Sequence, residues 1–312
     1  MMRIRMLAAA GLILLVSLAG TAHAGDGQRA LGLLPRNTSL VATWNVARSR
    51  LSPVGDEIID ILADSNIISG TVQRLRKSMG LDWKRDVDTV ILGMDANVSA
   101  SAQIVMLIEG KFDQAKLAAA AQKEPGFRGV THRGVAYYQT GKADVAFLDG
   151  YWITTRRGAM TRIIDASRSR SGSARSNQEL MDLLKSVNMS TDLWAMMMVP
   201  KRTRQEIASE TGSWTMQAVT ASVDLRKRVR ARVRLGLSDR DGVIAVGQWL
   251  QSKGPTHETI QAMGLSEAVR GVSVSRRDNN VDLALTISEE DMAKLERYLR
   301  ATAAQRATGS GS

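Results

Sequence analysis

Four arginines are placed for chemistry by their spacing. From Arg228 to Leu235 the chain alternates strictly, with Arg228, Arg230, Arg232 and Arg234 in one set and Val229, Ala231, Val233 and Leu235 in the other. Period-two alternation is the pattern of a half-buried β-strand, so the four guanidinium groups share one outward face. Each guanidinium presents a fixed fork of N–H donors that suits a carboxylate or phosphate, which makes the row a candidate anion-binding surface. The row is also tolerable without a ligand. Successive outward side chains lie about 6.6 Å apart, where two unit charges in water repel by only about 0.6 kcal/mol. A solvated arginine face, which discourages edge-to-edge association of sheets, is therefore the alternative reading. Arg226 and Lys227 belong to the turn of the preceding hairpin, because a strand from Val219 to Leu237 would exceed the usual ~3–10 residues.

Other chemistries have little to work with. Met196-Met197-Met198 beside Trp194 could offer thioethers to Cu(I), but on a buried strand they alternate faces and cannot converge, so they are core filler. Outside the leader described below, the histidines are His132 and His257, far apart and without ligand spacing. There is no Gly-x-Ser-x-Gly elbow, no phosphate loop and no Gly-x-Gly-x-x-Gly. Asp86 and Asp88 share a strand face as an acid pair, or simply solvate the start of that strand. Glu289, Glu290 and Asp291 suit a helix N-terminus. No catalytic set, metal site or cofactor site is expected. The competing reading is a hydrolase whose serine, histidine and acid meet only in the fold, around His132 or His257.

The elements that position these residues can be read in order. A short polar lead ends at Leu40–Val46, an apolar strand. Ser52-Pro53 opens an amphipathic helix bearing Val54, Ile58, Ile61 and Leu62. A second short helix carries Val72, Leu75 and Met79. Strands are predicted at Thr89–Met94 and Gln103–Glu109, then a helix capped by Asp113. Short strands near 127–131, 135–139, 143–148 and 152–155 are punctuated by Gly134, Gly141 and Gly150. A helix with Met160, Ile163 and Ile164 closes this half. Residues 167–176, rich in Ser and Arg, have no hydrophobic period and read as a flexible linker. Ser176 and Glu179 form a capping box for a helix with Leu180, Leu183, Leu184 and Val187. The hairpin Val269–Ser275/Val281–Ile287 turns at Asp278-Asn279-Asn280, and Ser288 with Asp291 caps a last helix.

The second half opens like the first. Thr191–Val199 matches Thr38–Val46 in length and character, and Arg234-Leu-Gly-Leu-Ser-Asp239 aligns with Ile108-Glu-Gly-Lys-Phe-Asp113. In this alignment Arg230, Arg232 and Arg234 stand where Ile104, Met106 and Ile108 stand, so one sheet face should be covered in the first half and open in the second. The expected fold class is α+β, with two tandem, degenerate ferredoxin-like (βαββαβ-type) halves, antiparallel sheets and helices packed on them.

The chain begins with Arg3 and Arg5, an apolar run from Leu7 to Leu18, and Ala22-His23-Ala24, which together read as a signal peptide cleaved after Ala24. The run is too short for the roughly 20 residues of a membrane anchor. Domain boundaries are expected at 1–24 for the leader, 25–166 and 177–303 for the two repeats, 167–176 for the linker and 304–312 for a flexible tail. Of the net charge of +11, the leader carries two arginines and no acid. A basic exported chain is drawn to anionic lipid head groups or polysaccharide; nucleic acid is excluded as a partner by compartment. The chain has no cysteine, so no disulfide supports it.

Leu34-Pro35, Leu40–Val46, Ser52-Pro53 and Gly110-Lys-Phe-Asp113 together resemble a group of uncharacterised exported two-repeat α+β proteins of Gram-negative bacteria. The resemblance implies no activity and transfers no site residues. The expected function is a soluble, non-catalytic envelope protein in the periplasm or secreted, a chaperone- or inhibitor-like binding protein being a further alternative.

Overall fold

The computed structural model describes residues 29–64, 82–95, 104–123, 126–211, 214–226, 228–252, 258–263, 265–294 and 297–298. The predicted leader, the helix of Val72, Leu75 and Met79, His257 and the tail lie outside them.

The first strand, β1 (Leu40–Asn45), is buried throughout and runs straight into a helical turn, α1 (Val46–Ser49), capped by the Asn45 side chain, which accepts from the Arg48 N–H at 2.5 Å. Helix α2 (Pro53–Asp64) starts where Ser52-Pro53 requires, with Ser52 Oγ accepting from the Gly55 N–H at 3.0 Å. A short turn, α3 (Trp83–Asp86), leads into β2 (Val87–Met94) and then β3 (Ile104–Gly110). Asp113 caps α4 (Gln114–Lys123), accepting from the Lys116 N–H at 3.1 Å. Four strands follow: β4 (Arg128–His132), β5 (Val135–Gln139), β6 (Ala143–Leu148) and β7 (Tyr151–Arg156). Arg133-Gly134 and Asp149-Gly150 turn two of these hairpins with both central residues at positive φ, the geometry that matches the twist of the flanking strands.

Helix α5 (Met160–Arg168) and α6 (Gln178–Leu184) flank the Ser/Arg segment. That segment is not a flexible linker. It folds into two 3₁₀ turns, Ala174 is fully buried, and backbone bonds from Arg36 N to Gly172 O and from Ala174 N to Leu34 O tie it to the N-terminal stretch. Small serines and one alanine allow this close approach, while Arg168 and Arg175 are exposed; composition alone could not reveal it. The cap of α6 is Asn177, which accepts from the Leu180 N–H, one residue beyond the expected Ser176. Ser176 Oγ instead donates to the carbonyls of Ser171 and Ser173.

The second half runs β8 (Leu193–Met198), α7 (Lys201–Thr211), β9 (Met216–Asp224), β10 (Val229–Leu237), α8 (Arg240–Ser252), α9 (Glu258–Ala262), α10 (Ser266–Arg270), β11 (Ser273–Arg277) and β12 (Asn280–Ile287). Val269, expected in a strand, belongs to α10. The Ser288–Asp291 cap is present, with the Asp291 N–H donating to Ser288 Oγ at 3.1 Å.

All twelve described strands form one antiparallel sheet in the order β11-β12-β10-β9-β8-β1-β2-β3-β7-β6-β5-β4. Two separate sheets were expected; instead β8 pairs with β1 from Leu40↔Met197 to Trp44↔Leu193. The ferredoxin-like arrangement fails on the same ladders. A split βαβ unit leaves room for a strand between the two that its helix connects, whereas β1 pairs directly and antiparallel with β2, and β8 with β9. In each half the first three strands form a meander with helices as insertions, and the third then pairs with the last strand of that half, β3 with β7 and β10 with β12.

The pleat divides the core in two. On one face, α2 and α4 bury Trp44, Val90, Ile108 and Trp152, and α7 to α10 bury the odd-numbered residues of β10. We call this the back face. On the front face, the N-terminal stretch, α5, the 3₁₀ turns and α6 cover Val41, Ile91, Leu107, Ile153, Trp194 and Met196. The stretch before β1 is thus no polar lead: Ala30, Leu31, Leu33 and Leu34 are at most 2 % exposed. The front cover ends near β8.

Candidate functional site

Beyond that cover, the front face of the second half is polar. Arg230 and Arg232 are exposed and have no ion-pair partner among the described residues. Arg234 is partly buried and held by Asp282 directly opposite on β12, with Nε–Oδ1 at 2.6 Å and Nη2–Oδ2 at 3.3 Å; hydrogen bonding to that carboxylate raises its pKa. The strand begins only at Val229, so Arg228 lies outside the row, next to the turn that holds Arg226. Of the four predicted arginines, two are therefore free cations of the face, one is a fixed partner in a fork-to-fork pair, and one is off it. Their spacing follows from the alternation that puts Val229, Ala231, Val233 and Leu235 into the core behind them.

The ladders set neighbours beside each arginine. Ser222 and Ala284 flank Arg232, and Thr220 and Asp282 flank Arg234. One strand further out, Ser273 faces Ala284 and Ser275 faces Asp282. With Ser186 and Asn188, from the loop after α6, these residues enclose an open cleft of about 340 Å³. Thr220 is 5 % and Ser222 7 % exposed, and neither hydroxyl has a hydrogen-bond partner among the described residues. Below the cleft, Asp224 is bound by Arg226 at 2.7 Å, and that hydrogen bond lowers its pKa to about 2.

The two halves treat this face oppositely. A bulge in β2 at Asp88, opposite the Glu109–Gly110 step, recurs in β9 at Gln217, opposite Gly236–Leu237. Counted from these bulges, Arg232 and Arg234 stand where Val105 and Leu107 stand. The alignment with Ile104, Met106 and Ile108 is one residue out, which moves every side chain to the other face. The slip comes from the loop into the capping aspartate, one residue shorter between Leu237 and Asp239 than between Gly110 and Asp113. With the register corrected, a contrast between the halves remains on the other set of residues: Leu107 and Ile153 are fully buried under α5, and their counterparts Arg234 and Asp282 are partly exposed. Thr220 takes the place of buried Ile91, and Ser222 that of Gly93, on which Leu34 packs.

Other candidates are structural. Met196 faces front and is fully buried, whereas Met197 packs on the back. His132 Nε2 lies 2.9 Å from Asp165 Oδ1, and Arg133 Nε 2.8 Å from the same atom. The His132 hydrogen bond, then the Arg133 charge, lower the Asp165 pKa. All three are at least partly exposed at the outer edge of the sheet, and among the described residues no hydroxyl is bonded to the ring. Asp86 turns back to the Asp82 N–H and Arg85, and Asp88 lies 3.8 Å from Arg50, so the two do not form an acid pair. Buried Asp192 accepts from the Leu225 N–H at 2.7 Å and sits 3.3 Å from Arg48; burial raises its pKa. Among the described residues no three His, Cys, Asp or Glu side chains are grouped to hold a metal, and no helix is long and apolar enough to cross a membrane.

No protein-family model matches the chain, and no curated protein matches it. The search of solved structures does find partners. The chain shares the fold of TP0453. Crystal form III of that protein aligns with a TM-score of 0.50 at 11% identity, covering 87% of this chain and 97% of TP0453. Crystal form IV gives 0.50 at 12%, covering 88% and 96%. Identity this low carries the mixed α+β architecture and nothing about residues or chemistry.

The sequence could have supplied more of this site. Thr220, Ser222 and Asp224 alternate with Val219, Ala221 and Val223, and Asp282, Ala284 and Thr286 with Val281, Leu283 and Leu285. These are the same period-two signal as the arginine row, and register alone brings them together.

Proposed function

We propose that the chain is an exported, non-catalytic binding protein of a bacterial envelope, whose uncovered front face holds anionic envelope material. The observation that carries this reading is the pair of guanidinium groups, Arg230 and Arg232, unpaired among the described residues, on a sheet face whose apolar cover ends near β8 among those residues. Export rests on the pattern of residues 1–24, with Gly25 as the new N-terminus. The recurring bulges and the β1–β8 pairing, in which Ala42 meets its own counterpart Ala195, support reading the halves as degenerate copies, though not as split βαβ units. In the second half, polar residues such as Thr220, Arg232 and Arg234 stand at positions that are apolar and covered in the first.

A basic side chain near an anionic surface contributes about 1 kcal/mol. Arg230→Gln with Arg232→Gln should therefore weaken retention on anionic vesicles or lipopolysaccharide by about 30-fold at low salt, with the wild-type advantage shrinking as salt rises. Retention that is unchanged in the double variant ends the proposal. Mass measurement of the protein recovered from an envelope fraction checks the leader: a mature chain beginning at Gly25 is expected.

A further inference from the structure

We infer that the cleft beside Arg232 takes an acidic sugar, a pyranose ring carrying one carboxylate, as the terminal or internal unit of an anionic polysaccharide. This rests on the reading of the front face as an anion-binding surface and names what its deepest part recognises.

Three features of the cleft select the ligand. The charged side chains lining it are Arg232, Arg234 and Asp282. Arg234 and Asp282 neutralise one another, so one positive charge remains for one negative group. A phosphate dianion brings a second charge against Asp282 with no cation to meet it. The remaining polar lining is hydroxyl and amide. Thr220 and Ser222 lie on the floor, nine-tenths buried and without a partner among the described residues, and Ser275 and Asn188 stand at the rim. Their hydroxyls open onto the cleft, where a ligand or water that both donates and accepts can meet them. Sugar hydroxyls do both at several positions around the ring; carboxylate and unprotonated phosphate oxygens only accept. Size is the third feature. At about 340 Å³ the cleft falls at the small end of ligand pockets, suited to a single ring. Ala284 and Val187 offer the ring an apolar patch for its C–H face. The open side lets further units continue along the strand toward Arg230.

The test is calorimetric titration of the mature full-length chain with a glucuronate trisaccharide, the neutral glucose trisaccharide and inorganic phosphate, with vesicle retention measured in parallel. Uronate should bind at least tenfold more tightly than either comparison ligand. Thr220→Val with Ser222→Ala should weaken uronate at least tenfold while leaving the melting temperature unchanged. If that variant fails to fold, Ser275→Ala at the exposed rim should still weaken uronate severalfold. Phosphate binding equal to uronate, or uronate affinity indifferent to the floor and rim variants, overturns the assignment. A chain that ignores uronate yet needs Arg230 and Arg232 for retention overturns the sugar assignment and leaves the broader reading standing. A chain that binds neither overturns both.

Discussion

Replacing Gly93 with alanine tests the front cover at its closest approach. A Cβ at this position would lie 2.5 Å from Cδ2 and 2.8 Å from Cδ1 of Leu34. Leu34 is fully buried between β2 and the 3₁₀ turns, so it cannot swing aside. Overpacking of this kind costs about 1–3 kcal/mol. Leu34→Ala alone should cost about 2–5 kcal/mol, as large-to-small changes in cores do. The combination carries the diagnostic. With the leucine methyls gone, the new Cβ fits the vacated space, and Gly93→Ala regains the roughly 0.5–1 kcal/mol by which glycine weakens a strand. The glycine substitution should then change sign, from destabilising in the wild type to neutral or stabilising beside Leu34→Ala, a coupling of about 1–4 kcal/mol. Urea unfolding of the four proteins measures it, and each kcal/mol should appear as a shift of about 2–4 °C in Tm for domains of this size class. Equal cost in both backgrounds would mean that residues 29–36 do not lie on β2, and the asymmetry between the halves would lose its basis.

Two other outcomes follow from the same structure. Limited trypsin digestion should spare Arg168, Arg170 and Arg175 in the native protein, because the backbone around them is hydrogen-bonded and Ala174 is buried; early cleavage there into two stable halves would restore the linker. Asp224 is held at a pKa of about 2 by Arg226, below the usual 3.8. A depressed carboxylate stabilises the fold above its unfolded pKa and loses that contribution as pH falls through the folded value. Asp224→Asn should therefore flatten the acid limb of the stability curve between about pH 4 and pH 2, and an unaltered limb in acid-titrated urea melts would count against the pairing.

Local chemistry was legible where one residue type decides it. Ser52-Pro53, Asp113 and Asp239 cap the helices that they were expected to cap, and the alternation of β10 places the arginines outward. What could not be read is what depends on partners distant in sequence. Leu31, Leu33 and Leu34 carry no period in so short a stretch, and only the sheet they land on makes them core. The register between the halves turned on one residue in a loop, and a slip of one exchanges faces. Strand order was missed because β-α-β-β-α-β is equally compatible with a three-strand meander whose third strand pairs with the last strand of its half, as β3 does with β7 and β10 with β12. In the site, the cations were visible, but Asp282 as the partner of Arg234 was not; 48 residues separate them, and a ladder joins them.

The β1–β8 seam has a consequence for any attempt to divide the molecule. Cutting there strips a central strand of its neighbour and leaves its N–H and C=O groups facing water along the pairs that now run from Leu40 to Trp44. A fragment holding either half should seek a replacement strand, and the nearest match is the same strand of a second fragment. Expressed alone, each half should associate in solution, mending with its twin the join that the whole chain makes within itself.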